Sequence, residues 1–228
     1  MECMRSYQII SILPSKRKKV YKVESQGEVC ILKVYQSAED AEKEMQIANK
    51  VALTGYAPKV IDHQDNLVLY EHIEGENFCE AFRLATMTDD VESMELLATR
   101  LSIFLQIIYS FTEKAVREVD FNNYVVKDGR VVGVDFLKVD EGMPYEDVAS
   151  AIAFALMNSA GQYYDGYHFV YKLLDCFKLD MVDVINEVKA RLKRRASQVG
   201  AKDDIDIDML LEGLVNFDKK GVDWRKLV

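Results

Sequence analysis

Histidine, proline and tryptophan are scarce in this chain: 3, 3 and 1 in 228 residues. The histidines, His63, His72 and His168, are scattered, and the four cysteines (Cys3, Cys30, Cys79, Cys176) contain no Cys-x-x-Cys pair. Zinc and iron–sulfur centres are therefore not expected. Isolated cysteines suit a reducing compartment rather than a disulfide scaffold. Positive charge is also in deficit, with 29 Lys and Arg against 38 Asp and Glu and a net charge of −9. A surface that binds duplex DNA is not expected from that balance. Any anion must be held in a local site that overrides the mean field. No stretch approaches eighteen uncharged apolar residues, and the opening MECMRSYQII lacks a basic start followed by a long apolar run. Neither a transmembrane segment nor a signal peptide is expected, and we read the protein as cytoplasmic.

What is present is ordinary globular composition. Hydrophobic residues are 49%, enough for a buried core in one large domain or two small lobes. The spacing predicts strands over 7–13 (YQIISIL), 20–24 (VYKVE) and 29–35 (VCILKVY), the last two joined at a Ser25-Gln26-Gly27 turn. Ser37-Ala-Glu-Asp40 reads as a capping box, with Ala41, Met45, Ala48 and Ala52 at helical spacing and Gly55 as the stop. Short strands follow at 59–62 and 67–70. Polar residues 71–77 (EHIEGEN) read as a linker. The remainder is mostly helical, with a long apolar stripe from Met94 to Phe111 and helices at 145–158, 166–179, 181–195 and near the C-terminus. Asp128-Gly129 between apolar runs is the strongest hairpin signal. The expected division is residues 1–70, a β-rich lobe; 71–77, a hinge; and 78–228, a helical lobe.

Three features carry chemistry. Lys33 is a charge inside the apolar run VCILKVY, and a buried ammonium requires an anion. Glu44 lies on the same helical face as Ile47, Ala48 and Val51, so it could point inward to meet Lys33; a snorkelling Lys33 on a solvent-facing edge is the alternative. Second, REVDFNNYVV places acids and asparagines just before the Asp128-Gly129 turn. Third, Asp135 follows the apolar run VVGV. A hairpin folded at that turn brings Asn123 and Asp135 to one open end, where an amide oxygen and a carboxylate offer Mg²⁺ hard ligands; capped polar turns are the alternative. The glycine-free loop Leu13-Pro-Ser-Lys-Arg-Lys-Lys19 supplies Lys16 and Lys18 as point charges for an anion, or is a solvated basic turn. Lys189–Arg195 (KARLKRR) reads as a solvated helix face, with contact to an acidic polymer or RNA as the alternative. Tyr163, Tyr164, Tyr167, Phe169, Tyr171 and Phe177 read as helical core, and Trp224 as a packing anchor.

In this order, the features resemble the protein-kinase-like superfamily, closest to the small atypical branch of aminoglycoside phosphotransferases, lipopolysaccharide core kinases and RIO-type kinases. LVLYEHIEGE looks like the last strand and hinge, NYVVKDGRVVGVDF like the metal-binding Asn, hairpin and metal-binding Asp, and YEDVASAIAFAL like the next helix. The resemblance implies an α+β, two-lobed fold: a five-stranded antiparallel lobe with one helix, and a mostly helical lobe. It implies ATP in the cleft, with Lys33 on the phosphates and paired to Glu44. Glu71, His72 and Ile73 would face adenine with backbone groups, and Asn123 and Asp135 would hold Mg²⁺. Asp147 would stand where a structural acid braces the catalytic loop.

Two departures stand out. The family's His-x-Asp is absent, and counting back five residues from Asn123 gives Glu118; Asp120 is the other candidate base. A Glu in place of Asp displaces its carboxylate by about 1 Å. The phosphate loop has no glycine. The implied function is an ATP- and Mg²⁺-dependent phosphotransferase acting on a hydroxyl of a small molecule, sugar or protein. The alternative is a pseudokinase that binds nucleotide or a protein partner without catalysis.

Overall fold

The computed structural model describes residues 6–15, 18–159, 166–199 and 207–220. Cys3, Lys16, Tyr163, Tyr164 and Trp224 lie outside the described residues.

The chain begins with alternating, β-branched segments that zip into a meander: β1 (Gln8–Leu13), β2 (Lys19–Ser25) and β3 (Glu28–Val34). Gln26 and Gly27, at φ 56° and 81°, turn β2 into β3 with the left-handed backbone that matches strand twist. The Ser37 side chain accepts from the Asp40 N–H at 3.1 Å and starts α1 (Ala38–Ala52). Then β4 (Val60–Gln64) and β5 (Leu67–Glu71) complete an antiparallel sheet of order β1-β2-β3-β5-β4. Lys33 therefore sits on the central strand, between Val20 and Val68.

The expected linker is shorter than its polarity suggested. Glu71 ends β5, and β6 (Glu76–Asn77) pairs with β7 (Tyr124–Lys127), leaving 72–75 between the sheets. Gly75 permits this close passage, because a Cβ there would lie 2.4 Å from the Val126 carbonyl oxygen. Sequence reasoning missed α2 (Phe78–Met87), which opens with the Asn77 side chain accepting from the Glu80 N–H.

The central helix α3 (Val91–Thr112) is long and apolar enough by composition to cross a membrane. Its Met94, Leu97, Ala98, Leu101, Phe104, Leu105 and Ile108 stripe is buried, and the helix packs on α2 and α5 (Tyr167–Phe177). The β7–β8 hairpin, with β8 at Arg130–Gly133, also rests on α3; a Cβ on Gly133 would lie 2.5 Å from Phe104. Beyond it come α4 (Pro144–Asn158), α6 (Met181–Val199) and α7 (Ile207–Lys220). Tyr167 and Phe169 are core residues, whereas Tyr171 and Phe177 pack at its margin. The main hydrophobic core runs unbroken from Tyr35, Met45 and Tyr70 into the helical lobe, while Val23, Cys30, Leu32 and Leu69 form a small core on the other side of the sheet.

Candidate functional site

Lys33 and Glu44 meet at the centre of the sheet lobe. Lys33 is 4% exposed and Glu44 0%, and the Lys33 ammonium donates to Glu44 Oε1. It also donates to the Val134 carbonyl of the helical lobe at 2.6 Å and lies 4.7 Å from the Tyr70 ring centre. Glu44 faces inward because it shares the buried α1 face with Ala41, Ile47, Ala48 and Val51.

Glu44 has a second cation. Lys18, just before β2, turns inward between the lobes with its side chain 4% exposed. It donates to Glu44 Oε2 at 2.5 Å and to Asp135 Oδ1 at 2.9 Å, and its ammonium lies 5.0 Å from the Tyr35 ring centre. Each Glu44 oxygen thus receives one ammonium, and Lys18 joins the sheet lobe to the helical lobe. Burial pulls the Lys33 ammonium below its usual range against the opposing pull of Glu44. For Lys18, burial also pulls down, but the Glu44 and Asp135 carboxylates outweigh it and hold the group above its usual range. Burial pushes Asp135 up, yet Lys33 and Lys18 prevail and keep it below the usual carboxylate range.

Asn123 and Asp135 come together as the hairpin register requires. Tyr124 pairs with Gly133, and the Val134 N–H donates to the Asn123 carbonyl at 2.9 Å. Asp128 and Gly129 turn the hairpin at φ 49° and 75°. The oxygen donors are chemically right for a divalent cation, but the Asp135 carboxylate is engaged by Lys18. Among the described residues, no group of three or more His, Cys, Asp or Glu side chains could hold a metal ion. Lys18 occupies Asp135 Oδ1, so a divalent ion bound through that oxygen would have to displace it.

The loop carrying both candidate bases is held from outside. The Asp147 carboxylate on α4 accepts from the Val116 and Arg117 N–H groups at 2.9 and 2.8 Å, and Ser150 Oγ accepts from the Val119 N–H at 2.9 Å. Burial raises the Asp147 carboxyl to about 6 despite those two donors. Arg117 adopts φ 67°, a left-handed backbone uncommon for a residue with a side chain. Arg191 on α6 donates to its carbonyl, and Arg195 donates to the Val119 carbonyl at 2.8 Å.

Here the structure corrects the reading of 189–195 as a solvated face. Arg191 is 5% exposed and Arg195 is half-buried over the Phe154 ring, because both extend the stripe formed by Val184, Val188 and Leu192. That helical spacing was the signal available in the sequence; the charge run masked it. Arg194 is exposed, as expected.

Glu118 and Asp120 occupy different settings. Asp120 caps the short turn of 3-10 helix at Phe121–Asn123, its Oδ1 accepting from the Asn122 backbone and side chain at 3.0 and 2.9 Å. Glu118 is 40% exposed and lies 3.9 Å from Lys138. It lines a cavity of about 460 Å³ with Arg117, Lys138, Asp140, Lys43 and Arg194 among its neighbours.

At the hinge, the Glu71 N–H is taken by the Lys59 carbonyl at 2.9 Å. Glu71 and Ile73 line a separate cavity of about 340 Å³ with Lys59, Lys127 and Arg130. His72 is half-buried. Lys16 falls outside the described residues.

No protein-family model matches the sequence, and no curated protein matches it. Solved structures do. The kinase domain of Mycobacterium tuberculosis PknI superposes with a TM-score of 0.50 at 17% identity, covering 70% of this chain and 76% of that one. A point mutant of that same domain gives 0.51 at 14% identity with the same coverage. A Plasmodium vivax ethanolamine kinase gives 0.51 at 11% identity over 92% of this chain and 81% of that one. The chain has a protein-kinase-like fold, a five-stranded antiparallel sheet lobe joined to a helical lobe.

Proposed function

We propose that this protein is a phosphotransferase that binds ATP between its lobes and transfers the γ-phosphate to a hydroxyl acceptor. The observation that supports this most directly is the convergence of Lys33 on β3, Glu44 on α1 and Asp135 in the loop after β8 on one charged cluster where the two lobes meet. Phosphoryl transfer asks mainly for position and for cations on the phosphates. Lys33 and Lys18 supply two ammoniums there, and each has spent two of its three donors on protein oxygens. Hinge backbone at 72–73 would take the adenine edge, since the Glu71 N–H is spent within the sheet. Mg²⁺, which the resemblance implies, would bind through Asn123 and Asp135 only with Lys18 withdrawn.

Glu118 suits the base better than Asp120. Asp120 is committed to capping, whereas Glu118 borders an open cavity from which an acceptor could approach. In the transfer step, the acceptor oxygen bonds to the γ-phosphorus, the bond from phosphorus to the β,γ-bridging oxygen breaks, and ADP departs. Glu118 takes the hydroxyl proton. The cavity lining is strongly charged, with Lys43, Arg117, Lys138 and Arg191 each paired to a carboxylate, which favours a polar acceptor.

Two contacts favour the second reading, a nucleotide-binding pseudokinase: Lys18 on Asp135, and Lys138 beside Glu118. Thermal shift and ATP turnover separate them. At one hundred times its Kd, ATP stabilises the fold by about 2.7 kcal/mol, and Lys33→Met removes that shift. Glu118→Gln lowers turnover with a productive acceptor by about 10²–10⁴-fold. Nucleotide binding without turnover on any anionic or neutral hydroxyl acceptor favours the pseudokinase. No shift with any nucleotide sinks both.

A further inference from the structure

We propose that Lys18 is a tethered cation standing in for the divalent metal, so that the cleft takes a nucleoside polyphosphate without Mg²⁺. The phosphate half of this inference rests on the nucleotide reading above; the metal half does not.

The argument begins with the loop. Residues 13–19 contain no glycine, so bare backbone cannot close over phosphate as a cradle. Among its described residues, Lys18 turns inward. Lys19, next in the chain, is exposed, yet the Lys18 side chain is 4% exposed and bonded to carboxylates of both lobes. The pairing with Asp135 puts a positive charge on Oδ1, one of the two carboxylate oxygens a divalent ion could use.

Charge counting points the same way. Lys18 and Lys33 carry two positive charges, and Glu44 and Asp135 carry two negative ones, so the buried cluster is neutral as it stands. With no nucleotide present, adding Mg²⁺ would leave a surplus of two beside two largely buried ammoniums. Mg²⁺ also demands near-octahedral oxygen ligands at about 2.0–2.1 Å, whereas Asp135 already holds an ammonium at 2.9 Å. Removing Lys18 alone would leave a net charge of −1 and release two carboxylate oxygens, a site that attracts a divalent ion. An ammonium with one unspent donor can reach a phosphate oxygen while keeping both carboxylates.

Mn²⁺ alone, followed by loss of its free-ion paramagnetic resonance signal, tests the metal half with no nucleotide present. Wild type should leave the signal unchanged. Lys18→Met, and Lys18→Gln as a second variant, should bind Mn²⁺ at least about tenfold more tightly than wild type. Adding Asp135→Asn to either should abolish that gain. Wild-type Mn²⁺ binding that Asp135→Asn removes overturns the proposal, and so does a folded Lys18 variant that gains no Mn²⁺. Should both variants fail to fold, wild type decides: the ATP-induced thermal shift should be the same in EDTA as in Mg²⁺, and a shift that requires Mg²⁺ overturns the proposal. If no nucleotide shifts the midpoint while Mn²⁺ behaves as expected, the phosphotransferase reading fails and Lys18 keeps its place as the tethered cation.

Discussion

Lys18 and Lys33 share one carboxylate, and the arrangement makes the acid limb of stability informative. Asp135 has its carboxyl below the usual range because two ammoniums outweigh burial. Its unfolded pKa is about 3.9. Above that value the group is ionised in both states and its stabilisation is fully present. As the pH falls below about 4, the unfolded chain takes up the proton first, and the stabilisation drains away through the lower, folded pKa. Asp135→Asn should remove this loss, so wild type should lose more stability than Asp135→Asn between about pH 4 and pH 2 in urea unfolding. Parallel curves would mean that the Lys18 contact is not made in solution. Lys33 was legible in the sequence because a charge in an apolar strand needs a partner, and Glu44 because it shared an apolar helix face. The inward turn of Lys18 was not, since nothing in a run of four basic residues marks which one reaches a carboxylate more than a hundred positions away.

The helix α6 shows how an element acquires a role its composition hides. Strands β1 to β5 and the β7–β8 hairpin were readable because alternation and turn residues act locally. The short strand β6 and helix α2 were missed: the polar run before Phe78 looked like linker, although Asn77 followed by Glu80 and by Phe78, Phe82 and Ala85 at helical spacing was there to be read. In α6 the opposite error arose, and a charge run concealed two arginines on the apolar stripe. Arg191 holds the carbonyl of Arg117, the residue with the left-handed backbone, while Asp147 holds its N–H from α4. Without Arg191 a part-buried carbonyl loses a charged donor, a cost of about 1–3 kcal/mol at most. Arg191→Ala should therefore lower stability by that amount and speed amide exchange at 116–119, where Val116, Arg117 and Val119 donate to Asp147 and Ser150. Unchanged exchange there, with α6 still folded, would remove the bracing role.

At the scale of the molecule, the two lobes are one packing unit. The underside of the sheet lobe, through Tyr35, Ala41, Met45, Ala48, Val51, Val68 and Tyr70, belongs to the same core as α3, α4 and α5. Helix α1 packs on α3. Three lysines of the sheet lobe reach across as well: Lys18 to Asp135, Lys33 to Val134 and Lys43 to Asp140. Of these, the Lys43 pair is exposed and screened by salt, whereas the Lys18 and Lys33 ammoniums are buried and less screened. Separating the lobes would uncover apolar surface on both and strand buried charges, so the two are expected to unfold together. Calorimetry of the whole chain should then give one transition in which the van't Hoff and calorimetric enthalpies agree, on the order of 160 kcal/mol for a chain of this length near 60 °C. In 1 M salt the transition should remain single, because the continuous core and the buried pairs persist when Lys43–Asp140 is screened. A van't Hoff enthalpy near half the calorimetric value would show that the lobes melt separately, and a salt-induced split would place their coupling on the exposed pair instead of the core.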